Sequence, residues 1–285
     1  MDDHTKRMAK KITGRICFHA FVIILGFFMM YPVLWMVFSS FKDNHAIFNT
    51  LNLIPKEWHF DNYVRGWAFN HSITFGTFFK NSFYYTILSS IGAVLASALV
   101  AYGFSRIPFK GRGFWYAMMF VTMMLPYQVV MVPQFILFQK MGWVNTFKPL
   151  IIPQFAGLPF FIFLMAQFIR QIPYELDDSA KIDGCNRWMV FWKILFPLIK
   201  PAVITSTIFS FYWRWDDFLG PLLYLNNPKM YTVSLALRMF SDPQTSTDWG
   251  AIFAMGTLSL VPVILIFLFF QKYIVEGLVT TGMKD

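Results

Sequence analysis

Charge is what this chain has least of: Lys, Arg, Asp and Glu make up only 14% of its 285 residues. A soluble domain usually carries roughly a quarter, so too little charge remains to coat a water-exposed surface, and a water-soluble enzyme is excluded. Cysteine is nearly absent as well. Cys17 and Cys185 cannot form a disulfide framework and read as unpaired packing residues. No G-x-x-x-x-G-K-[ST] segment occurs, and the glycines of Lys110-Gly-Arg-Gly113 lack both the spacing and a preceding strand, so the chain is not expected to cradle the phosphates of ATP. His4, His19, His45, His59 and His71 are scattered without the spacing of a metal site, and nothing brackets a Ser, His and Asp as a nucleophilic triad. No catalytic residue, metal or cofactor is therefore assigned to this chain. Low-complexity tracts and internal repeats are also lacking, so one transmembrane domain is the economical reading.

What is abundant is apolar surface. Hydrophobic residues reach 56%, among them 35 Phe, 17 Met and 10 Trp, and the mean hydropathy is +0.50. The length accommodates about six spans of ~20 residues, and any catalytic domain is expected on another chain. Six long apolar runs follow one another: Ile16 to Ser40, Ser82 to Ser105, Phe114 to Phe138, Pro149 to Ile169, Pro201 to Leu225, and Gly250 to Phe270. The first ends in Phe41-Lys-Asp-Asn44, a poor cleavage site, so it reads as a retained span rather than a signal peptide.

The direction of the spans follows from the basic residues. With the N-terminus placed inside, fifteen Lys and Arg fall inside and eight outside, leaving Arg214 within a span. That bias places both termini in the cytoplasm and explains the net charge of +9 without nucleic acid. The expected organisation is a cytoplasmic segment 1–15, a six-span domain 16–273 and a cytoplasmic tail 274–285. Two external loops, 41–81 and 225–249, and one long cytoplasmic loop, 170–200, connect the spans.

The cytoplasmic loop is the most patterned part of the chain. Pro173 suits the first turn of a helix, and Glu175, Asp177 and Asp178 lie where the helix dipole is positive. Gly184 can close that helix in the left-handed conformation, and Asn186 can cap a second one running toward Leu195. A helix, a tight turn and another helix make a shape that can enter a groove on a soluble partner. From the residues alone, an interfacial hairpin that merely anchors the loop is the alternative.

Pro173, Glu175-Leu176, Asp178-Ser179-Ala180, Asp183-Gly184 and, ten residues on, Ile194-Leu195-Phe196-Pro197 resemble the EAA loop of permease subunits in bacterial binding-protein-dependent ABC importers. Asp178, Ser179, Cys185 and Phe196 depart from the usual Glu, Ala, Ala and Leu. Phe60-Asp-Asn-Tyr63, Ala101-Tyr-Gly-Phe104, Trp215-Asp-Asp-Phe218 with Pro221, and Gln271 to Leu278 extend the resemblance to the carbohydrate-uptake branch, in particular the maltose-type second permease subunit. Asn is usual where Asp216 stands.

The resemblance implies an all-α integral membrane protein with six transmembrane helices in the type I importer permease fold. It implies a bacterial inner-membrane location and a sugar or oligosaccharide moved by alternating access, a glycerol phosphate or an acidic oligosaccharide being the alternative. The implied partners are a second related permease, two ATPase subunits that carry ATP and Mg, an extracellular solute-binding protein and membrane lipid. It further implies that Glu175, Asp178, Ser179, Ala180, Asp183, Gly184, Ile194 and Pro197 couple to the ATPase, with Glu276, Gly277 and Leu278 as a second contact.

Charges inside a span are costly and default to functional candidates. Trp213, Arg214, Trp215, Asp216 and Asp217 could line a wet passage, with aromatic faces stacking on a sugar ring and a carboxylate accepting its hydroxyl hydrogens. On a continuous helix Arg214 and Asp217 are three apart, so a structural ion pair is the competing expectation. An ion-coupled carrier would need inverted repeats or a relay of buried carboxylates, neither of which is seen beyond Asp216 and Asp217.

Overall fold

The computed structural model describes residues 3–50, 52–68, 73–239 and 247–279, with side chains for 12–50, 52–68, 73–238 and 247–273. Every regular element among them is helical. Four helices are long and apolar enough to cross a membrane: Ile12–Ser39, Phe75–Arg106, Lys148–Gln171 and Trp249–Tyr273. Two bent pairs, Arg112–Met123 with Tyr127–Lys140 and Arg187–Leu198 with Lys200–Trp215, raise the number to six when each pair counts as one span.

Several expected boundaries are corrected. The second helix begins at Phe75 rather than Ser82. The third apolar run is not one rod: it bends by 96° between Met123 and Tyr127, where Pro126 holds an extended φ/ψ of −60°/135° that no helix can pass through. The run Pro201 to Leu225 is likewise divided. Its helix stops at Trp215, and a separate short helix covers Leu219–Tyr224. The first break escapes hydropathy because Met124 and Leu125 are as apolar as their neighbours, whereas the second falls at the charged pair Asp216-Asp217.

The chain divides into two compact units. The first comprises Met1–Phe69 and Phe240–Leu258, and Asn62 is its polar centre. Only 1% exposed, Asn62 donates from Nδ2 to the carbonyls of Ser40 and Lys42, each at 2.9 Å. Its Oδ1 accepts from Arg65 Nη2 at 2.5 Å, and Arg65 Nε donates to Asp248 Oδ2 at 2.9 Å. The backbone leaving the first long helix would otherwise bury unpaired carbonyls, and Asn62 satisfies two of them at once. The Phe60-Asp-Asn-Tyr63 motif is thus a structural tie.

The second unit comprises Asn70–Met239 and Ser259–Asp285. Its hub is the Phe75–Arg106 helix, which packs on Lys200–Trp215, on Pro159–Gln171 and on the 3₁₀ segment Ile152–Ala156. A stripe of small buried residues, Ser89, Ala93, Ser97, Ala101 and Ser105, makes this close approach possible. Van der Waals packing drives helix association in lipid, so small side chains strengthen it by letting backbones meet. Ser97 Oγ adds a polar tie by accepting the Leu158 N–H at 2.9 Å.

Candidate functional site

Two regions of the second unit carry the residues singled out above. The first is a cavity of about 610 Å³ lined by Trp213, Arg214, Asp216 and Asp217 together with Tyr85, Tyr127, Gln154 and Tyr224. Arg214 and Asp217 do not pair: among the described residues no ion pair joins them. The reason is the end of the helix at Trp215, which removes the i, i+3 geometry that the pairing requires. Arg214 Nη2 instead donates to Gln154 Oε1 at 2.5 Å. Asp217 accepts the Tyr85 hydroxyl at Oδ2, 2.6 Å away, and the Gly220 N–H at Oδ1, 3.0 Å away. A Cβ at Gly220 would lie 2.6 Å from Asp217 Oδ2 and 2.9 Å from Leu150 Cδ2, so those two side-chain ends would have to shift to admit one.

The two tryptophans separate. Trp213 reaches the cavity while stacking on Phe161, with ring centroids 5.4 Å apart. Trp215 is buried away from it, among Phe79, Phe83 and Phe211, with its indole N–H donated to the Ser259 carbonyl at 3.0 Å. Four of the five candidates are therefore brought together and one is not. Tyr85 and Gln154 were missed by sequence reasoning, although a tyrosine or glutamine interrupting an apolar run is a readable signal.

The second region is the 170–200 loop. Glu175–Ile182 is a helix whose first turn holds Glu175, Asp177 and Asp178. It ends in a Schellman motif: Cys185 N–H bonds the Ala180 carbonyl at 2.9 Å, and Gly184 N–H bonds the Lys181 carbonyl at 3.0 Å. Gly184 between them has φ +81°, a conformation that costs every residue with a Cβ. Asn186 Oδ1 then accepts the Met189 N–H at 2.9 Å and caps the next helix, Arg187–Met189. A π-helical stretch, Val190–Leu195, continues to Phe196–Leu198.

The coupling candidates divide by face. Ala180 is buried and Ile194 packs against the same apolar cluster as Leu195 and Phe191. Glu175, Asp178, Ser179, Asp183, Gly184 and Pro197 are exposed. So are Leu176, Ile182, Trp188 and Trp192, with Ile182 86% exposed. Glu276, Gly277 and Leu278 fall within the Trp249–Val279 helix, but their side chains lie outside the described residues.

A cluster that the candidate set omitted holds this loop in place. Arg106, the last residue of the Phe75–Arg106 helix, has Nε 3.4 Å from Asp177 Oδ2, and the two side chains are 2% and 8% exposed. Burial pushes the Asp177 carboxyl above the ordinary carboxylate range, with Arg106 pulling the other way. A basic residue ending one helix and an acidic doublet opening another were both visible in the sequence. Their proximity was not.

A multi-pass helical membrane protein with a polar intramembrane cavity and an exposed helix–turn–helix loop is the architecture of a transport pathway subunit. Residues 91–279 match the family described as "Binding-protein-dependent transport system inner membrane component", and the chain belongs to that family. It is 35% identical to the "Probable ABC transporter permease protein YurM" of Bacillus subtilis (strain 168), over 98% of this chain and 92% of the relative. It is 29% identical to the "Trehalose/maltose transport system permease protein MalG" of Thermococcus litoralis, over 97% and 99%. The fold is similar to a subunit in the crystal structure of a bacterial ABC transporter that imports the acidic polysaccharide alginate, with TM-score 0.81 and 22% identity over 93% of this chain and 97% of that one.

Proposed function

We propose that this chain is one half of the membrane pathway of an ATP-driven sugar importer and that its 170–200 loop docks on a separate ATPase subunit. The observation that carries this reading is the outer face of the loop. Leu176, Ile182, Trp188 and Trp192 are exposed beside Glu175, Asp178 and Asp183 on an element held rigid by the Gly184 turn and the Asn186 cap. An apolar, acid-flanked helical face outside the spans fits a groove on a soluble partner. Both termini and this loop are placed in the cytoplasm, and ATP and Mg belong to two partner ATPase subunits. A second permease completes the pathway, and an extracellular binding protein delivers the solute.

The sugar assignment draws on the trehalose/maltose relative and on the cavity's lining. One Arg faces two Asp there, with Trp213, Tyr85, Tyr127 and Tyr224 around them. An anionic solute would meet more negative than positive charge, whereas a neutral sugar finds hydroxyl partners and an aromatic face. Alternating access follows if ATPase closure contacts the inward-open and outward-open states with different energies. The test is reconstitution of the complete complex in vesicles, with binding-protein-dependent uptake of sugar driven by ATP. Uptake independent of ATP or of the ATPase subunits overturns the reading.

A further inference from the structure

Arg106 is placed where three backbone elements meet. Its Nη2 donates to the carbonyls of Ile169 at 3.1 Å and Ile172 at 2.6 Å, at the C-terminal end of the Pro159–Gln171 helix. The Ile169 carbonyl also accepts the Ile172 N–H at 3.2 Å, Ile172 lies just past the end of the helix, and a cation at this end complements the helix dipole. The guanidinium carbon lies 4.0 Å from the centroid of the Tyr174 ring, immediately before the Glu175–Ile182 helix. Asp177, in the first turn of that helix, faces Nε at 3.4 Å. A reciprocal bond returns from the loop, because the Tyr174 hydroxyl donates to the Ser105 carbonyl at 2.9 Å.

Burying a guanidinium to 2% exposure is expensive unless its contacts repay it. A surface residue would need none of this, and a residue serving only the Phe75–Arg106 helix would need no contact with Tyr174 or Asp177. We propose that Arg106 is the positioning residue of energy coupling: it makes the Glu175–Ile182 helix move as one body with the Phe75–Arg106 and Pro159–Gln171 helices, so that displacement of the loop becomes displacement of the pathway. The proposal rests on the import function above. Lysine reproduces the set only in part: an ammonium can bond carbonyls, but it has no planar group to lie on the Tyr174 ring while a second nitrogen faces Asp177.

The experiment uses the complete complex in vesicles and measures ATP hydrolysed and sugar accumulated in the same preparation. Wild-type vesicles come first: absence of ATP-dependent uptake there sinks the import reading itself, whatever Arg106 does. Arg106→Lys keeps the charge that balances Asp177, so the complex is expected to assemble and hydrolyse ATP while sugar moved per ATP falls at least fivefold. An unchanged ratio overturns the proposal. Tyr174→Phe deletes only the bond to Ser105 and keeps the ring beneath the guanidinium, and it is expected to lower the ratio about twofold. Should Arg106→Lys fail to assemble, Tyr174→Phe decides: a lowered ratio supports the strut, and a wild-type ratio makes Arg106 a folding residue and overturns it.

Discussion

Replacing Gly184 with valine isolates the turn of the 170–200 loop from everything around it. At φ +81° an L-residue is strained whatever the space, and a Cβ built at this position meets nothing within 4 Å. The added Cβ therefore brings no clash of its own, and the cost expected is that of backbone conformation, about 1–2 kcal/mol for a residue bearing a Cβ in the left-handed region. Valine, stiff at its branched Cβ, belongs at the upper end. A penalty of that size shifts the ratio of closed to open turn roughly five- to thirty-fold. Opening the turn breaks the bonds from Cys185 to Ala180 and from Gly184 to Lys181 and separates Asp183 from Asn186. The spans should still insert, because the turn lies outside them. In one membrane preparation, ATPase copurification or sugar moved per ATP should fall severalfold for Gly184→Val and much less for Gly184→Asn, since asparagine tolerates this conformation. Wild-type copurification together with wild-type uptake in Gly184→Val would refute the docking role of the turn.

Three further outcomes are expected. Tyr85→Phe removes the hydroxyl that Asp217 accepts while keeping the ring, so thermal unfolding of the detergent-solubilised protein should register a loss of about 1.5–3 kcal/mol, the range for a hydrogen bond to a charged group; an unchanged midpoint would mean that water replaces the hydroxyl freely. Asn62→Ala strands the carbonyls of Ser40 and Lys42 and one Arg65 N–H, and the same assay should show destabilisation of at least about 2 kcal/mol, with a neutral result contradicting the tie described for the first unit. The third concerns pH: burial pushes the Asp248 carboxyl up, but the bonds from Arg65 and from the Ala251 N–H outweigh it and hold the group below its ordinary range. A carboxyl depressed on folding stabilises above its unfolded pKa, and that stabilisation is lost as pH falls through the folded value, so Asp248→Asn should flatten the acid limb of stability against pH and leave the neutral region's slope unchanged.

Much of this protein is written in one dimension. The scarcity of charge and the six apolar runs determined a helical, multi-pass membrane chain, because lipid leaves the backbone few ways to satisfy its polar groups other than helices. The turn at Gly184 and the cap at Asn186 were legible for the same local reason: each depends on residues no more than five positions apart. Only the tertiary structure decided where the long runs break. Pro126 was visible, but a proline in an apolar run is compatible with a kink or with the 96° bend observed, and the extended backbone at Pro126 is seen only in the structure. The partners of the intramembrane charges were decided in the same way. Arg214 bonds Gln154, sixty residues away, and Asp217 bonds Tyr85, further still, because the helix that would have joined the two charges ends between them. Trp213 and Trp215 are indistinguishable by type and spacing, yet one reaches the cavity that holds Arg214 and Asp217 and the other turns away from it, among Phe79, Phe83 and Phe211. Arg106 and Asp177 read as an end-of-helix cation and a first-turn acid until folding placed them 3.4 Å apart. Local sequence sets which backbone conformations are affordable, whereas a buried charge finds its counterpart only among the surfaces that folding brings to it.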